Sequence, residues 1–199
     1  MKTPEERSTA AKNAVNDLRA TVFKLRGGLW AALFLLVLLV ASPTSPAFQA
    51  VGLTLVFLGQ ALRLWAAGCI TRYRGEKVGA QKLATWGPYA IVRNPLYVGN
   101  WLIGAGWGLL AGWTALVVFV VSFWLVYCVA IVPFEEEFLS QTFGEEYARY
   151  AVRTGRFIPR SLVIEDLFGP FDISVLWRSE VHSLLVTLIG TAVLLWHVR

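Results

Sequence analysis

The sequence predicts an all-α polytopic membrane helix bundle with about five transmembrane helices. Of the 199 residues, 56% are hydrophobic and 16% are charged, whereas soluble domains carry about 25% charged residues. The charged residues also collect in three blocks that long apolar runs separate. A charge at the bilayer centre costs roughly 2.5 kcal/mol or more, so this segregation is typical of a chain that spans a membrane.

Five apolar runs define the predicted spans. They are 29–41, 47–70, 96–110, 113–132 and 181–198. A span needs roughly 20 apolar residues, so the first run is short and must draw on its flanking residues. A proline-rich turn at 42–46 joins the first two spans, and Ala111-Gly112 joins the third and fourth. The spans divide the chain into a core over 29–160 and a linker with a C-terminal transmembrane helix over 161–199.

The segment 1–28 is predicted to be a cytoplasmic amphipathic helix. Apolar residues recur there at helical spacing, with basic residues between them: Ala11, Ala14, Val15, Leu18, Val22 and Leu25. Such a helix lies on an anionic membrane surface or packs on the rest of the protein, and the pattern fits both arrangements. A cleaved signal peptide is disfavoured because the polar lead-in is longer than a signal n-region.

Lysine and arginine placement predicts the orientation. Three blocks carry them: Lys2, Arg7, Lys12, Arg19, Lys24 and Arg26; Arg72, Arg74, Lys77, Lys82 and Arg93; and Arg149, Arg153, Arg156 and Arg160. Two crossings separate each block from the next, and the turns at 42–46 and 111–112 carry no charge. Because basic loops stay inside, the N-terminus and both polar loops are predicted to be cytoplasmic.

The remaining composition argues against two other classes of function. The formal net charge of +5 has no nucleic-acid motif beside it, so no nucleic-acid partner is expected. Cys69 and Cys128 are the only cysteines, and neither shows CxxC or His/Cys spacing. No metal site or disulfide framework is therefore predicted.

The first candidate site is GPYAIVRNPLYVGN, residues 87–100, which leads from a polar loop into the third span. Pro95 suits the first turn of a helix because it has no amide hydrogen to leave unpaired. The amides of that turn and the forked guanidinium of Arg93 can together hold a carboxylate or phosphate. A plain helix cap, with Tyr89 and Tyr97 as interfacial aromatic residues, explains the same pattern.

The second candidate is the acidic run Glu135-Glu136-Glu137, which follows Pro133 at the predicted end of the fourth span. Three adjacent carboxylates repel one another, and acids at the C-terminal end of a helix oppose its dipole. Such a run suggests a binding role. The alternative is solvated charge at the membrane boundary, where side chains can reach water.

The third candidate is FGEEYARY, residues 143–150, in which Tyr147 and Tyr150 share one helix face. With the arginines that follow, the two rings can line a purine or ribose pocket. They can equally anchor the helix at the lipid headgroups.

Together, GPYAIVRNPLYVGN, a hairpin of two spans and EEEFLSQTFGEEYARYAVRTGRFIPR resemble the isoprenylcysteine carboxyl methyltransferase and phospholipid methyltransferase superfamily over about residues 60–160. The resemblance implies a cytoplasmic cofactor pocket for S-adenosyl-L-methionine and a lipid or lipidated small-molecule substrate. Arg63 fits the bacterial members, which implies a bacterial inner-membrane protein. The implied cofactor-binding residues are Gly87, Tyr89, Arg93, Asn94, Pro95, Tyr97, Glu136, Tyr147 and Tyr150, and the implied catalytic residues are Arg93, Glu135 and Glu136.

The chain departs from this pattern at Asn94, where many relatives carry histidine. Asparagine can hydrogen-bond a cofactor, but it cannot titrate. The methyl acceptor stays open among a carboxylate, an amine and a thiol, and the oligomeric state is open too.

Two other function classes compete with this interpretation. One is a relative of the NADPH-dependent membrane sterol-type reductases, which favour more spans. The other is a non-enzymatic scaffold or transporter subunit. A transporter predicts charges at the membrane midplane or an inverted repeat. No repeat is visible, and Arg63, the one charge within a span, is near enough to the cytoplasmic end to reach it.

Overall fold

The computed structural model describes residues 15–70, 82–161 and 163–199, and within these ranges the chain forms helices and no strand. The α-helices are α1 Val15–Lys24, α2 Arg26–Leu39, α3 Pro46–Gly68, α4 Pro88–Ile91, α5 Pro95–Ala111, α6 Trp113–Phe123, α7 Val132–Phe143, α8 Glu145–Arg153, α9 Ile173–Val175 and α10 Val181–His197. Two π-helical segments, Trp124–Ile131 and Leu176–Glu180, continue α6 and α9, and a 3₁₀ turn covers Glu165–Leu167. The predicted all-α class is confirmed.

Within the described ranges, three helices are long and apolar enough to cross a membrane: Pro46–Gly68, Trp113–Phe143 and Ile173–His197. A fourth follows if α1 and α2, which meet at a bend of 71°, count as one span. The predicted number was five. If the bent pair is one span, the remaining difference lies in α5, whose 17 residues extend only about 25 Å at 1.5 Å per residue, which is shorter than the hydrocarbon core.

The helix starts follow from the residues that precede them. Ser45 caps α3 by accepting a hydrogen bond from the Phe48 amide, and Pro46 takes the first turn, where no amide donor is needed. The predicted start of the third span at Pro95 is confirmed by α5. Gly112 turns the chain between α5 and α6 at a φ of 103°, which side-chain-bearing residues rarely adopt.

The two uncharged turns meet at one end of the bundle. The Ser42 amide donates to the Ala111 carbonyl at 2.8 Å, and the Thr44 hydroxyl donates to the Leu110 carbonyl at 3.2 Å. The turn after α2 and the turn after α5 therefore lie on the same side, as the charge pattern predicts. The basic and acidic side chains of the candidate site lie at the opposite ends of α5 and α6.

The centre of the bundle is a close pairing of α3 with α5 through glycines. A Cβ placed on Gly59 would lie 2.7 Å from the Gly99 carbonyl oxygen, and one on Gly106 would lie 2.5 Å from the Gly52 carbonyl oxygen. Only residues without a side chain allow two backbones to approach this closely. Small residues serve helix packing in this way in membranes, where water supplies no hydrophobic drive between helices.

The fourth span continues past its predicted end. The helix runs unbroken from Trp113 to Phe143, and the π-helical segment before Pro133 gives the Val132 amide the Tyr127 carbonyl as its acceptor. A proline within a helix removes a hydrogen bond, and π-helical spacing can accommodate that loss. The prediction that the acidic run sits at the C-terminal end of this helix is therefore wrong, since the run lies inside it.

Polar contacts tie α10 to the rest of the bundle. The Thr187 hydroxyl donates to the Gln60 side-chain oxygen at 2.8 Å, and the Trp107 indole donates to the Thr191 hydroxyl at 2.9 Å. The helix itself confirms the predicted fifth apolar run. Such pairs satisfy polar groups that would otherwise face hydrocarbon, and they fix the rotation of α10 about its axis.

The described part of the N-terminal segment is helical, as predicted, and it contacts the bundle at one end. Phe23 is buried, with its ring centroid 5.7 Å from that of Phe134, while Leu18 is exposed. Residues 1–14 lie outside the described part, as do Arg72, Arg74 and Lys77 of the loop 71–81.

Candidate active site

The carboxylate of Glu136 is the centre of a buried polar cluster. Arg93 donates from Nε to Oε1 at 3.1 Å, and Asn94 donates from Nδ2 to the same oxygen at 3.0 Å. Arg156 donates to Oε2 from Nε at 2.9 Å and from Nη2 at 2.6 Å. A buried carboxylate requires such compensation, because an unpaired charge there is costly. Arg93 and Glu136, which the family resemblance implies as cofactor-binding residues, thus bind each other.

Backbone contacts hold Arg93 in place. Its amide donates to the Gly155 carbonyl at 2.8 Å, and its Nη1 donates to the carbonyls of Ala151 at 2.9 Å and Thr154 at 2.7 Å. The last two carbonyls end α8, where orphan acceptors favour a cation. The guanidinium therefore fastens the end of α8 to the segment that begins α5.

Two predicted tyrosines extend this cluster. The Tyr150 hydroxyl donates to the Tyr89 carbonyl at 2.8 Å, and the rings of Tyr147 and Tyr150 meet edge to face. Burial, with the Glu136 carboxylate beside it, raises the pKa of Tyr147 to about 12. Burial also raises the pKa of Tyr150. Both phenols are therefore protonated at neutral pH and can act as hydrogen-bond donors rather than as bases.

The Tyr147 hydroxyl is buried and finds no hydrogen-bond acceptor among the described residues. We expect Tyr147→Phe to leave the melting temperature of the protein nearly unchanged, because the hydroxyl that it removes donates no hydrogen bond to a described residue. Tyr150→Phe is the matched control, and the loss of its bond to Tyr89 should cost about 1 kcal/mol. Thermal unfolding in detergent compares the two variants, and a marked destabilisation by Tyr147→Phe would contradict the expectation.

Gly87 and Pro95 shape the backbone on either side of Arg93. Gly87 has a φ of 62°, and its amide donates to the Asp166 carbonyl at 2.8 Å. Pro95 opens α5, where the amides of Tyr97 and Val98 both donate to the Asn94 carbonyl at 3.1 Å. These two amides, which were predicted to face an anion, thus have partners within the chain.

A cavity of about 700 Å³ lies beside this cluster, between α2, α3, α5 and α10. Among the predicted site residues, Tyr97 and Glu135 line it, whereas Arg93, Asn94, Glu136, Tyr147 and Tyr150 do not. Glu135 and Glu136 are adjacent in α7 and both buried, but they point to different surroundings. The predicted site therefore divides into an interlocked cluster around Glu136 and a cavity wall that contains Glu135.

The sequence interpretation missed several polar residues of the cavity and one of the cluster. Asn100, Glu180 and Ser183 line the cavity with Arg63, and Arg156 binds Glu136. One signal was available: Glu180 directly precedes the fifth apolar run, and an acid at a span end is a natural partner for an arginine within another span.

The segment that the family model of phospholipid methyltransferases matches is residues 47–146, from α3 to the start of α8. That segment includes the start of α5, the acidic run in α7 and most of the close-packed α3–α5 pair. The chain belongs to the phospholipid methyltransferase family. The resemblance inferred from the two motifs is confirmed.

Curated relatives of this family member include proteins from bacteria and plants. It is 38% identical over 117 residues to the cobalt-zinc-cadmium resistance protein CzcN of Cupriavidus metallidurans, covering 58% of this chain and 51% of the relative. It is 35% identical over 117 residues to protein-S-isoprenylcysteine O-methyltransferase B of Arabidopsis thaliana, covering 54% of this chain and 57% of the relative. The nickel-cobalt-cadmium resistance protein NccN of Alcaligenes xylosoxydans xylosoxydans is 36% identical, over 58% of this chain and 52% of the relative. The matched region thus spans little more than half of these relatives.

The family's cofactor, S-adenosylmethionine, fits the residues present. Its adenine suits aromatic side chains, its ammonium and sulfonium suit carboxylates, and its carboxylate suits a donor. The cavity supplies Tyr97, Tyr127 and Trp30 as aromatic wall and Glu135 as a carboxylate. Arg26, which also lines the cavity, supplies a guanidinium that can donate to the carboxylate.

Proposed function

We propose that the protein is an S-adenosylmethionine-dependent methyltransferase that acts in the membrane on a lipid-like acceptor. The observation that carries the proposal is the position of a large charged cavity against the family-matched helices. About 700 Å³ lies within the range of small-molecule sites, and Glu135 of the acidic run is part of its wall. The acceptor alternatives at this level are an isoprenylcysteine-type carboxylate and a phospholipid amine.

The residues of this chain would divide the work of binding. Tyr97 and the other aromatic residues of the cavity wall would hold the adenosine, and Glu135 would face the positive groups of the cofactor. The Glu136 cluster, which does not line the cavity, would hold the neighbouring helices in position. Arg93 would then act by positioning α5 and α8. When bound, the cofactor supplies an electrophilic methyl group, and the chain aligns an acceptor with it. Such alignment can contribute several kcal/mol to catalysis.

The proposed topology places all three charged blocks at the cytoplasmic face of a bacterial inner membrane. Its five crossings are α1 and α2 together, α3, α5, α6 and α7 together, and α10. In this arrangement α5 can be short because α3 and its other neighbours shield it from lipid. The meeting of the two uncharged turns at one end supports this arrangement. The test of this topology introduces single cysteines into the two turns and into the loop 71–81. Each cysteine is then labelled from the outside of the membrane.

The function is tested by ligand binding to the purified full chain in nanodiscs. We expect S-adenosylhomocysteine to bind saturably in calorimetry and NADPH to show no heat above dilution. Glu135→Gln should weaken S-adenosylhomocysteine about tenfold, since a charge-assisted hydrogen bond contributes about 1.5–3 kcal/mol. The adjacent Glu137→Gln is the matched control, because Glu137 is exposed. Binding of NADPH without S-adenosylhomocysteine would favour the reductase alternative and overturn the proposal.

A further inference from the structure

The segment between α8 and α10 carries large apolar side chains on its surface. Ile164 keeps 65% of its surface exposed, Phe168 77% and Trp177 75%. With three further exposed residues they form what we call the linker patch: Val163, Ile164, Phe168, Phe171, Ile173 and Trp177. Single apolar residues on a surface need no explanation, but such a concentration marks a contact with a protein or a membrane. No residue of the linker patch lines the cavity, and all six lie beyond the family-matched residues 47–146.

The end of this segment is fastened to the end of α3. The Asp172 amide donates to the Gly68 carbonyl at 2.8 Å, and Gly68 is the last residue of a helix that is long enough to cross a membrane. The Phe171 ring lies directly against Gly68, in the space that a Cβ there would need. The next residue, Ile173, begins another candidate span. Two spans therefore meet at Asp172, which places this residue at a membrane boundary.

The earlier part of the segment lies at the same level. The Asp166 carbonyl accepts a hydrogen bond from the Gly87 amide at 2.8 Å. A Cβ on Gly87 would lie 2.7 Å from the Cys69 sulfur and 3.4 Å from the Trp65 indole nitrogen. Gly87 thus lies beside the last turn of α3, and so does the part of the segment that is bonded to it.

Trp86 holds the middle of the segment. Its indole donates to the Pro170 carbonyl at 2.9 Å, and its ring occupies the space where a Cβ on Gly169 would lie. Backbone groups of the segment are therefore bonded to the rest of the chain, while its large apolar side chains point away. This division suits a contact with lipid, because lipid offers no partner to an unpaired backbone group.

The charges of the segment show how it can bind a membrane. Between residues 161 and 177 the charged side chains are Glu165, Asp166 and Asp172, and all are acidic. Anionic head groups repel such a segment, so apolar contact must supply the attraction. Aromatic side chains are typical of the level at which head groups meet acyl chains. Ile173 and Trp177 also belong to the span Ile173–His197, so the linker patch continues a surface that lipid already covers.

We propose that the linker patch is an interfacial anchor, which inserts among zwitterionic lipids of the cytoplasmic leaflet and holds Trp86 and Gly87 at the membrane surface. The side of the membrane follows from the topology proposed above. Gly87 begins the segment that leads through Arg93 into α5. Lipid bound by the anchor therefore stabilises the start of this segment, at a surface separate from the cavity.

The first test introduces the photoreactive residue p-benzoylphenylalanine at Phe168, in the full chain in phosphatidylcholine nanodiscs. We expect illumination to give adducts with the mass of one lipid, at about ten times the yield at the control position, because insertion of a phenylalanine-sized ring is favoured by at least that factor. The control position is Glu145, an exposed charged residue of α8. The yield should be the same at low and high salt, since apolar contact is not screened. Crosslinks to another part of the chain or to a second copy, or equal yields at both positions, would overturn the inference.

The second test measures hydrogen exchange of the Gly87 amide, which is bonded to the anchor. Ile164→Ser combined with Phe168→Ser should speed its exchange about tenfold in nanodiscs, because the anchor then opens more often. Phe57→Ser is the matched control, since Phe57 is exposed on α3 about three turns before Gly68. If the double variant does not fold, Phe168→Ser alone should give a smaller increase.

Unchanged exchange at Gly87 in the anchor variants, or an equal increase in the control, would overturn the inference and leave the proposed function standing. Absence of S-adenosylhomocysteine binding to the wild type would instead overturn the proposed function. The anchor does not depend on that result, because its lipid contact is measured without a cofactor.

Discussion

Replacement of Glu136 by alanine is expected to destabilise the protein by about 3–5 kcal/mol, because it leaves two arginines without their shared carboxylate. Arg93 and Asn94 are largely buried beside Glu136 and lose a charged acceptor at about 3 Å. The variant should unfold roughly 10 °C below the wild type in detergent. Its affinity for S-adenosylhomocysteine should fall as well, because α7, which carries Glu135 of the cavity wall, would lose its contacts with Arg93, Asn94 and Arg156.

The neighbouring residue supplies the control for this experiment. Glu137 belongs to the same acidic run but is exposed, and an exposed carboxylate contributes little to stability. Glu137→Ala should therefore unfold within a degree or two of the wild type. Equal melting temperatures for the two alanine variants would show that the Glu136 cluster does not hold the fold.

Replacement of Gly59 by alanine is expected to have the second largest effect. The added methyl group would lie 2.7 Å from the Gly99 carbonyl oxygen and 2.9 Å from the Ile103 amide nitrogen. Both atoms are backbone, so neither can rotate away, and α3 and α5 must separate. Overpacking of this kind costs about 1–3 kcal/mol. Thermal unfolding in detergent measures the loss, and ligand binding should weaken in parallel, because both helices border the cavity.

A glycine in open surroundings is the comparison. A Cβ on Gly28 of α2 would meet no atom within 4 Å, and alanine favours helix by about 1 kcal/mol over glycine. Gly28→Ala should therefore keep or raise the melting temperature. If Gly59→Ala behaved in the same way, the close α3–α5 approach would not be required for folding.

The sequence predicts well the features that local chemistry determines. Pro95 begins a helix because a missing amide hydrogen costs nothing there, and the proline-rich turn ends α2 for related reasons. The juxtaposition of Arg93 and the acidic run was also predicted, although only through the resemblance to a family. In each case the signal resides in a few consecutive residues.

Features that depend on distant partners were not predictable in the same way. Proline usually ends a helix, and nothing around Pro133 reveals that π-helical spacing lets the helix continue to Phe143. The division of Glu135 from Glu136, one facing the cavity and the other two arginines, depends on side-chain directions within α7. Glu180 and Arg63 are 117 positions apart, so their pairing is visible only in three dimensions.

This separation along the chain has a consequence for biosynthesis. Gln60 and Arg63 enter the membrane with α3, whereas their partners Thr187 and Glu180 are translated more than a hundred positions later. At about 5–20 residues per second the delay is on the order of 10 s. During that interval Gln60 lacks its partner Thr187, and Arg63 can bond Asn100 of α5 or extend toward the cytoplasmic end of its helix. The wall of the cavity is therefore completed last, when translation reaches α10.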